Sequence, residues 1–483
     1  MSARQDAAYQ LFLSVGSCVL FFSLFALWHG ATEHAGGLRD AVSTRWEGSK
    51  ALLFGSSSDG HNDATLSHYT WHHCIGGAEW SNGGSAFSGR GVHTRRCHFR
   101  NVCVRLLPID QSVGLRWDTD TNTTIELTYH KNPLLVGGSK IWSTTQGGDE
   151  ESWLMTDRDH YLTTKTVYGE VPKELKMVET PTVLMGSFWP HNFGHAIGDD
   201  LFPAFRLLRQ FNLLRPDNYY AFHQSCDFRG GEIGCKNSEA VTSALSTRPY
   251  QKLGGELFPD TVEPVCFADL VMGPNALTMR EPDERAWPDM VRQMKEGYGI
   301  RPSSPPLKKH KVVVIEKHGR RTWLNYEEVR EHIEDKYGVE TVLVNPAELS
   351  IEQQLRLLDQ ATVMVTPPGG VSFSSPFLHE GAAAIYVEYW DVAHERSFPM
   401  DQEVYTWNPA LHALFYPLSR ADLSLNRSAI DAVTLSHFVN DETGLWQGYS
   451  DVRINLDRLD VYLRDAFVHS SRAIGLRLPP GLR

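Results

Sequence analysis

Apolar β-branched runs alternate with amphipathic helical stretches through the second half of the chain. Val312–Ile315 is a continuous apolar run of the kind buried parallel strands show. The pattern then predicts a helix from about Tyr326 to Lys336 and a strand at Thr341–Val344. Ser350 opens the next helix with Gln353 as a capping box, and Ile351, Leu355 and Leu358 fall on one face. Strands follow at Val363–Val365 and Ile385–Val387. This alternation predicts an α/β fold with a parallel sheet and helices on both faces, where ligands bind at the carboxyl ends of strands.

Before residue 300 the pattern is mixed. Short strands are expected at Val102–Leu107, Thr124–Tyr129 and Thr182–Gly186, and a helix from Asp199 into Asn212 with Leu201, Phe205, Leu208 and Phe211 on one face. Arg301-Pro302-Ser303-Ser304-Pro305-Pro306 breaks the chain like an interdomain linker. Near the end, Val452, Leu456, Leu459, Leu463 and Phe467 recur at helical spacing.

Leu11–Trp28 carries no charged side chain and is about long enough to cross a bilayer. The expectation is an uncleaved signal anchor; the alternative is a cleavable signal peptide cut near Gly30-Ala31. The chain then divides into a tail (1–10), an anchor (11–28), a Gly/Ser/His/Asp-rich stem (29–70), an N-terminal domain (71–300), a linker (301–311), a C-terminal domain (312–450) and a terminal helix and tail (451–483).

A net charge of −12 argues against a nucleic-acid partner. Of the seven cysteines, Cys18 lies in the apolar span and six remain: Cys74, Cys97, Cys103, Cys226, Cys235 and Cys266. An even number beside a signal-like span points to an oxidising compartment. Loop length favours Cys97–Cys103 and Cys226–Cys235, leaving Cys74–Cys266; buried free thiols are the alternative. Sequons at Asn122 and Asn426 fit the same compartment.

Three segments carry candidate chemistry. In Thr366-Pro367-Pro368-Gly369-Gly370-Val371-Ser372 a strand stops at a Pro-Pro-Gly-Gly turn and a helical stretch begins, an arrangement that turns backbone N–H groups toward an anion. Glu388, on the next strand, is placed to take ribose hydroxyls. In the second segment, His191-Asn192-Phe193-Gly194-His195 leads to Asp199. His195 and Asp199 share a helix face and could supply a general base; a metal site of two His and one Asp, or a purely structural helix start, are the alternatives. The third is Glu316-Lys317-His318-Gly319-Arg320-Arg321, just after a strand, where paired arginines can clamp a diphosphate. Asp118-Thr119-Asp120 fits a DxD pattern but sits in a polar loop.

These blocks, in this order, resemble glycosyltransferase family 61. His191-Asn192 with His195 and Asp199 is similar to the family's H-N-x-x-H-x-x-x-D block, Arg320-Arg321 with Asn325 and Glu327-Glu328 to its R-R…N-E-E block, and Gly370 through Gly381 to Glu388 to its H-G-A-G-L-T-N…P-G…E block. Cys97–Cys103 resembles a cysteine motif ahead of the domain in many members. The chain departs at Pro367 and Pro368, where the family has His and Gly, and at Phe373, where it has Asn.

The resemblance implies a GT-B-like fold of two Rossmann-type domains facing a cleft, an inverting mechanism, and a nucleotide-sugar donor, expected to be UDP-linked. It implies no metal or other cofactor. His195, Asp199 and His191 would be the catalytic set. Asn192, Arg320, Arg321, Asn325, Gly369, Gly370, Val371, Ser372 and Glu388 would contact substrate. With the anchor, the expectation is a single-pass type II protein of the Golgi or endoplasmic reticulum membrane with a luminal catalytic part, acting on a glycan or glycoprotein. An inactive tethered paralogue is the alternative.

Overall fold

Two sheets organise the chain, and each turns its strand ends toward the segments that carry candidate chemistry. The computed structural model describes residues 71–75, 96–106, 123–130, 151–153, 162–169, 177–186, 192–223, 231–252, 257, 264–273, 285–300, 307–318, 321–399, 402–406, 408–425 and 442–483. The apolar span 11–28, the stem, the Asp118–Asp120 pattern, Asn122, Cys226, Asn426 and the 301–306 linker lie outside these. No helix among the described residues is long and apolar enough to cross a membrane.

The first sheet contains β1 (Trp71–Ile75), β2 (Arg96–Leu106), β3 (Thr123–His130), β4 (Glu151–Trp153), β5 (Leu162–Gly169), β6 (Met177–Val178), β7 (Thr182–Gly186), β8 (Tyr219–His223), β9 (Gln251–Lys252) and β10 (Val265–Met272). Its main path runs β4-β5-β3-β2-β10-β7-β8-β9, with β1 on β2 and β6 on β10. β2 is antiparallel to β10, whereas β10, β7, β8 and β9 are mutually parallel. Within that parallel half, β10 lies on the far side of β7 from β8 and β9, so the strand order reverses between β7 and β10. A reversal of this kind opens a crevice at the carboxyl ends of the two strands.

The cysteine pairing differs from the expectation. Cys97 and Cys103 occupy the same strand, β2. Six residues of extended chain hold them about 20 Å apart. Cys103 instead faces Cys266 across the β2–β10 ladder and forms a disulfide with it, which also overturns Cys74–Cys266. Cys97, in register with Cys74 on β1, and Cys235 are also disulfide-bonded.

The second sheet contains β11 (Lys311–Ile315), β12 (Glu340–Val344), β13 (Val363–Thr366), β14 (Ala383–Val387) and, after the small hairpin β15 (Tyr389–Asp391)–β16 (Arg396–Phe398), β17 (His412–Tyr416). Its order is β12-β11-β13-β14-β17 and every pairing is parallel. Here the order reverses between β11 and β13. A two-stranded ribbon, β18 (Leu423–Leu425) with β19 (Ser450–Val452), completes the strands.

Helices cover both sheets: α1 (Phe202–Gln210), α2 (Gly231–Ser243), α3 (Ala286–Gly297), α4 (Tyr326–Tyr337), α5 (Ile351–Leu358), α6 (Gln402–Thr406), α7 (Glu442–Tyr449) and α8 (Leu456–Ile474). The capping box at Ser350–Gln353 forms as the sequence indicates, with Ser350 N–H donating to Gln353 Oε1 at 2.8 Å. The period-2 side-chain rule sorts β11 cleanly. Val312 and Val314 join one apolar cluster with Ile333 of α4 and Leu459 and Leu463 of α8. Val313 and Ile315 join the other, together with Val183 of β7, Phe205 of α1 and Trp287 of α3. One face of the second sheet therefore shares a continuous core with the first.

His310, just ahead of β11, is buried between Thr362 Oγ1 (3.1 Å) and Ser471 Oγ of α8 (3.0 Å). Burial lowers its pKa below the ordinary 6.5, opposed by a backbone hydrogen bond at Arg477. His469 is shifted the same way, by burial and by its neighbour His412. The fold thus favours neutral imidazole. As pH falls through about 6.5 the unfolded chain takes up protons first, so stability is full above that value and declines below it. The melting temperature is expected to fall between pH 7.5 and 5.5, and His310→Gln should flatten that slope. Equal slopes in a pH series of thermal melts would remove His310 from the account.

Candidate active site

Behind β7, the described residues resume at Asn192, where one α-helical turn (Phe193–His195) and a π-helical stretch (Ala196–Leu201) run into α1. The helix expected from Asp199 therefore begins earlier and opens in a wider form. Such π stretches recur at functional sites because they re-aim side chains. Asn192 caps the start, its Oδ1 accepting from Gly194 N–H at 3.0 Å. His195 and Asp199 are joined through Nδ1 and Oδ2. The Asp199 side chain is 2% exposed and that of His195 28%. A buried carboxylate thus fixes the ring of a partly exposed histidine, and its bond to Nδ1 makes Nε2 the nitrogen on the opposite side. His191 lies outside the described residues.

The second strand end lies after β13. Thr366 passes into Pro367 and Pro368, then Gly369 at φ 111°, a conformation glycine adopts without steric cost. The helical stretch that follows is a 3-10 helix, Gly370–Phe377, not an α-helix; Pro376 inside it has no N–H to give an α-helical ladder. Ser372 is buried, and its hydroxyl donates to Gly369 O at 2.6 Å and is bonded to Tyr405 Oη. Val371 packs against the shared core.

Glycines bring the two strand ends into contact. A Cβ on Gly194 would lie 2.4 Å from Gly370 Cα, and one on Gly370 would lie 1.9 Å from Asn192 Oδ1. A Cβ on Gly198 would meet the Phe373 ring at 2.4 Å. Only the absence of these side chains lets helix and turn approach so closely.

Cationic groups converge on the same turn from the loop after β11. Lys317 Nζ donates to Pro368 O. Arg321 stands at φ 58°, a left-handed backbone that is costly for a residue with a Cβ. The neighbouring loop is tied down by Thr322 N–H to Asp451 Oδ1 (2.9 Å) and Leu324 N–H to Val452 O (2.8 Å). The Arg321 guanidinium lies over the Tyr389 ring, 5.4 Å from its centroid, and Nη1 donates to Tyr389 Oη at 2.9 Å. Its Nε is buried and has no hydrogen-bond partner among the described residues. Among the described residues no carboxylate pairs with it. Arg320 lies outside the described residues.

Asn325 is buried, and its amide exchanges two hydrogen bonds with the Ile454 backbone, Nδ2 to O at 3.0 Å and N–H to Oδ1 at 2.8 Å. These bonds secure the loop after β11. Glu388, at the end of β14, lines a small cavity with Pro367, Pro368, Gly369 and Tyr389. The cavity measures about 20 Å³, room for a water molecule. Burial raises the Glu388 pKa, with a hydrogen bond from Ser397 opposing. No three His, Cys, Asp or Glu side chains converge on a possible metal position among the described residues.

The structure thus brings together Asn192, His195, Asp199, Gly369, Gly370, Val371 and Ser372 across one contact, and Arg321 and Glu388 beside the turn. Lys317 and Tyr389 complete the cationic side but carry little signal in the sequence. Lys317 is one of several basic residues in its loop, and nothing in the spacing links Tyr389 to Arg321.

The glycosyltransferase 61 family model matches residues 193–385, a span that begins at the helix behind β7 and includes the Gly369 turn after β13. No curated protein matches the chain in sequence. Solved structures give remote likenesses. The iron-containing dodecameric glycosyltransferase TibC of enterotoxigenic E. coli is 13% identical with a TM-score of 0.24, over 45% of this chain and 60% of that one. The E. coli heptosyltransferase WaaC with ADP is 12% identical with a TM-score of 0.26, over 49% of this chain and 93% of that one. Likenesses this remote carry no weight in assigning the site.

The glycine contact makes its own prediction. Gly194→Ala and Gly370→Ala should each lower stability by about 1–3 kcal/mol through overpacking. Because both strain the same contact, the double variant should lose less than the sum. Chemical denaturation reads this directly; fully additive losses, or none, would show that the two backbones do not depend on each other.

Proposed function

The domain spanning residues 193–385 belongs to glycosyltransferase family 61, and on that premise we propose that the protein moves a sugar from a nucleotide donor, UDP-linked, to a hydroxyl of a glycan or glycoprotein. The observation that carries this is the buried Nε of Arg321, unpartnered among the described residues, beside the Gly369 turn at the point where the order of the second sheet reverses. A buried guanidinium N–H left without an acceptor is costly. A donor diphosphate would supply the acceptor oxygens it lacks, and the parallel second sheet, together with the parallel half of the first, supports a GT-B-type reading.

The chemistry follows from the two sides. On one, His195 Nε2 takes the proton of the acceptor hydroxyl while Asp199 holds Nδ1–H and stabilises the imidazolium that forms. On the other, the bond from the sugar C1 to the diphosphate oxygen breaks as the new C1–O bond forms on the opposite face, inverting the anomeric centre. Arg321, Lys317 and the first N–H groups of the Gly370–Phe377 helix meet the charge that builds on the leaving group. No metal is needed in this scheme, since side-chain cations supply the positive charge. The apolar span 11–28 supports a type II, membrane-anchored protein of the Golgi or endoplasmic reticulum with this domain in the lumen.

A panel of nucleotide sugars in thermal-shift assays on the full-length protein, with and without EDTA, tests the reading. One UDP-sugar should raise the melting temperature with EDTA present, and Arg321→Ala should abolish the shift. His195→Ala should keep the shift yet slow transfer about 100- to 10,000-fold. If no nucleotide sugar shifts the wild-type protein, the transferase reading falls, and a tethered binding protein, consistent with the Pro367-Pro368 replacement, takes its place.

A further inference from the structure

We propose that Tyr405 is a positioning residue for the donor turn, acting through Ser372; this rests on the nucleotide-donor reading of the site. Tyr405 lies on the short helix α6, beyond the stretch 193–385 that matches the family. Its phenol oxygen is bonded to Ser372 Oγ. A serine hydroxyl has one proton, and that of Ser372 goes to Gly369 O, a carbonyl that cannot donate, at 2.6 Å. Tyr405 is therefore the donor in its bond to Ser372. The three groups form a one-way chain: Tyr405 O–H to Ser372 O–H to Gly369 C=O.

That chain acts on the turn through the geometry of the peptide bond. In a planar trans peptide the C=O of one residue and the N–H of the next point in opposite directions. Gly369 O also accepts from Ser372 N–H at 2.9 Å, so its carbonyl is held on the Ser372 side by two donors. Fixing it there fixes the Gly370 N–H in the opposite direction. Gly369 itself, at φ 111°, has wide conformational freedom, so the direction must be imposed from outside.

The anchor is well built for this. The Tyr405 ring stacks on Tyr386 of β14, with centroids 4.0 Å apart and planes 14° apart, and Tyr386 Oη donates to Ser375 Oγ at 2.6 Å. Tyr405 also leans against Phe373, 5.5 Å between centroids. Two tyrosines thus reach the same 3-10 helix at Ser372 and Ser375 and hold it to the strand beneath. The orientation of the donor-facing peptide is set by residues that need not touch the donor.

The test uses the full chain with UDP and uridine as probes, read by calorimetric titration and competition. Tyr405→Phe keeps the ring and its stacking and removes only the proton donor. It should weaken UDP binding about 3- to 10-fold, the worth of one net hydrogen bond, and leave uridine binding unchanged, because the turn faces the diphosphate and not the nucleoside. Ser372→Ala should weaken UDP at least as much. The double variant should be no weaker than Ser372→Ala alone, since the groups act in series. Equal losses for UDP and uridine, additive losses in the double variant, or unchanged UDP affinity in Tyr405→Phe would each overturn the proposal. If wild-type protein binds no UDP, the donor reading itself fails and takes this inference with it, an outcome the unmutated control reveals first.

Discussion

The helix behind β7 and the turn behind β13 touch backbone to backbone, and the rest of the candidate site depends on that touch. Gly194 and Gly370 meet where any Cβ would collide, and Gly198 admits the Phe373 ring one turn further along. The contact puts His195 and Asp199 on one side and the Gly369 turn on the other. Each group is ordinary alone: a histidine–aspartate pair on a helix, a glycine turn after a strand. Their chemical meaning comes from being pressed together. Arg321 follows the same logic, its left-handed backbone and buried Nε lying beside that turn.

Behind this contact lies the alternation of β11, β13 and β14. Odd and even positions of each strand enter different apolar clusters, one with α4 and α8, the other with α1 and α3. The second cluster spans both sheets, so the strand ends that form the site stand on one common core. Rigid support of this kind is what a site needs when its groups must hold a fixed separation. The loop after β11 gains its own support from β19 and from Asn325, whose amide is committed to the Ile454 backbone.

Much of this was legible in the sequence where short-range physics decides the outcome. The β-branched runs at Val312–Ile315 and Val363–Val365, the capping box at Ser350 and the paired glycines at Gly369-Gly370 each report a local rule. What the sequence hides is set by contacts across the chain. The Cys97–Cys103 pairing looked natural from spacing, but β2 runs straight through both residues, and the true partner of Cys103 lies 163 residues away. The helical stretch after the glycine turn is a 3-10 helix with Pro376 inside it, a form the sequence pattern does not distinguish. Lys317, Tyr389 and Tyr405 gain significance only from neighbours that periodicity cannot name. Whether Ser372 faces solvent or core was likewise invisible, because a serine after a glycine turn suits either.

The Gly194–Gly370 contact also bears on how the chain folds. Its two members come from different halves of the sequence, so closing it carries the entropy of a very long loop, and local helices and hairpins form well before it. During synthesis the first half emerges with its glycine face uncovered and nothing to press against it. The site is then among the last parts of the molecule to assemble. A ligand that spans both sides would bind only the finished chain, and by mass action would draw the slow final docking step toward completion.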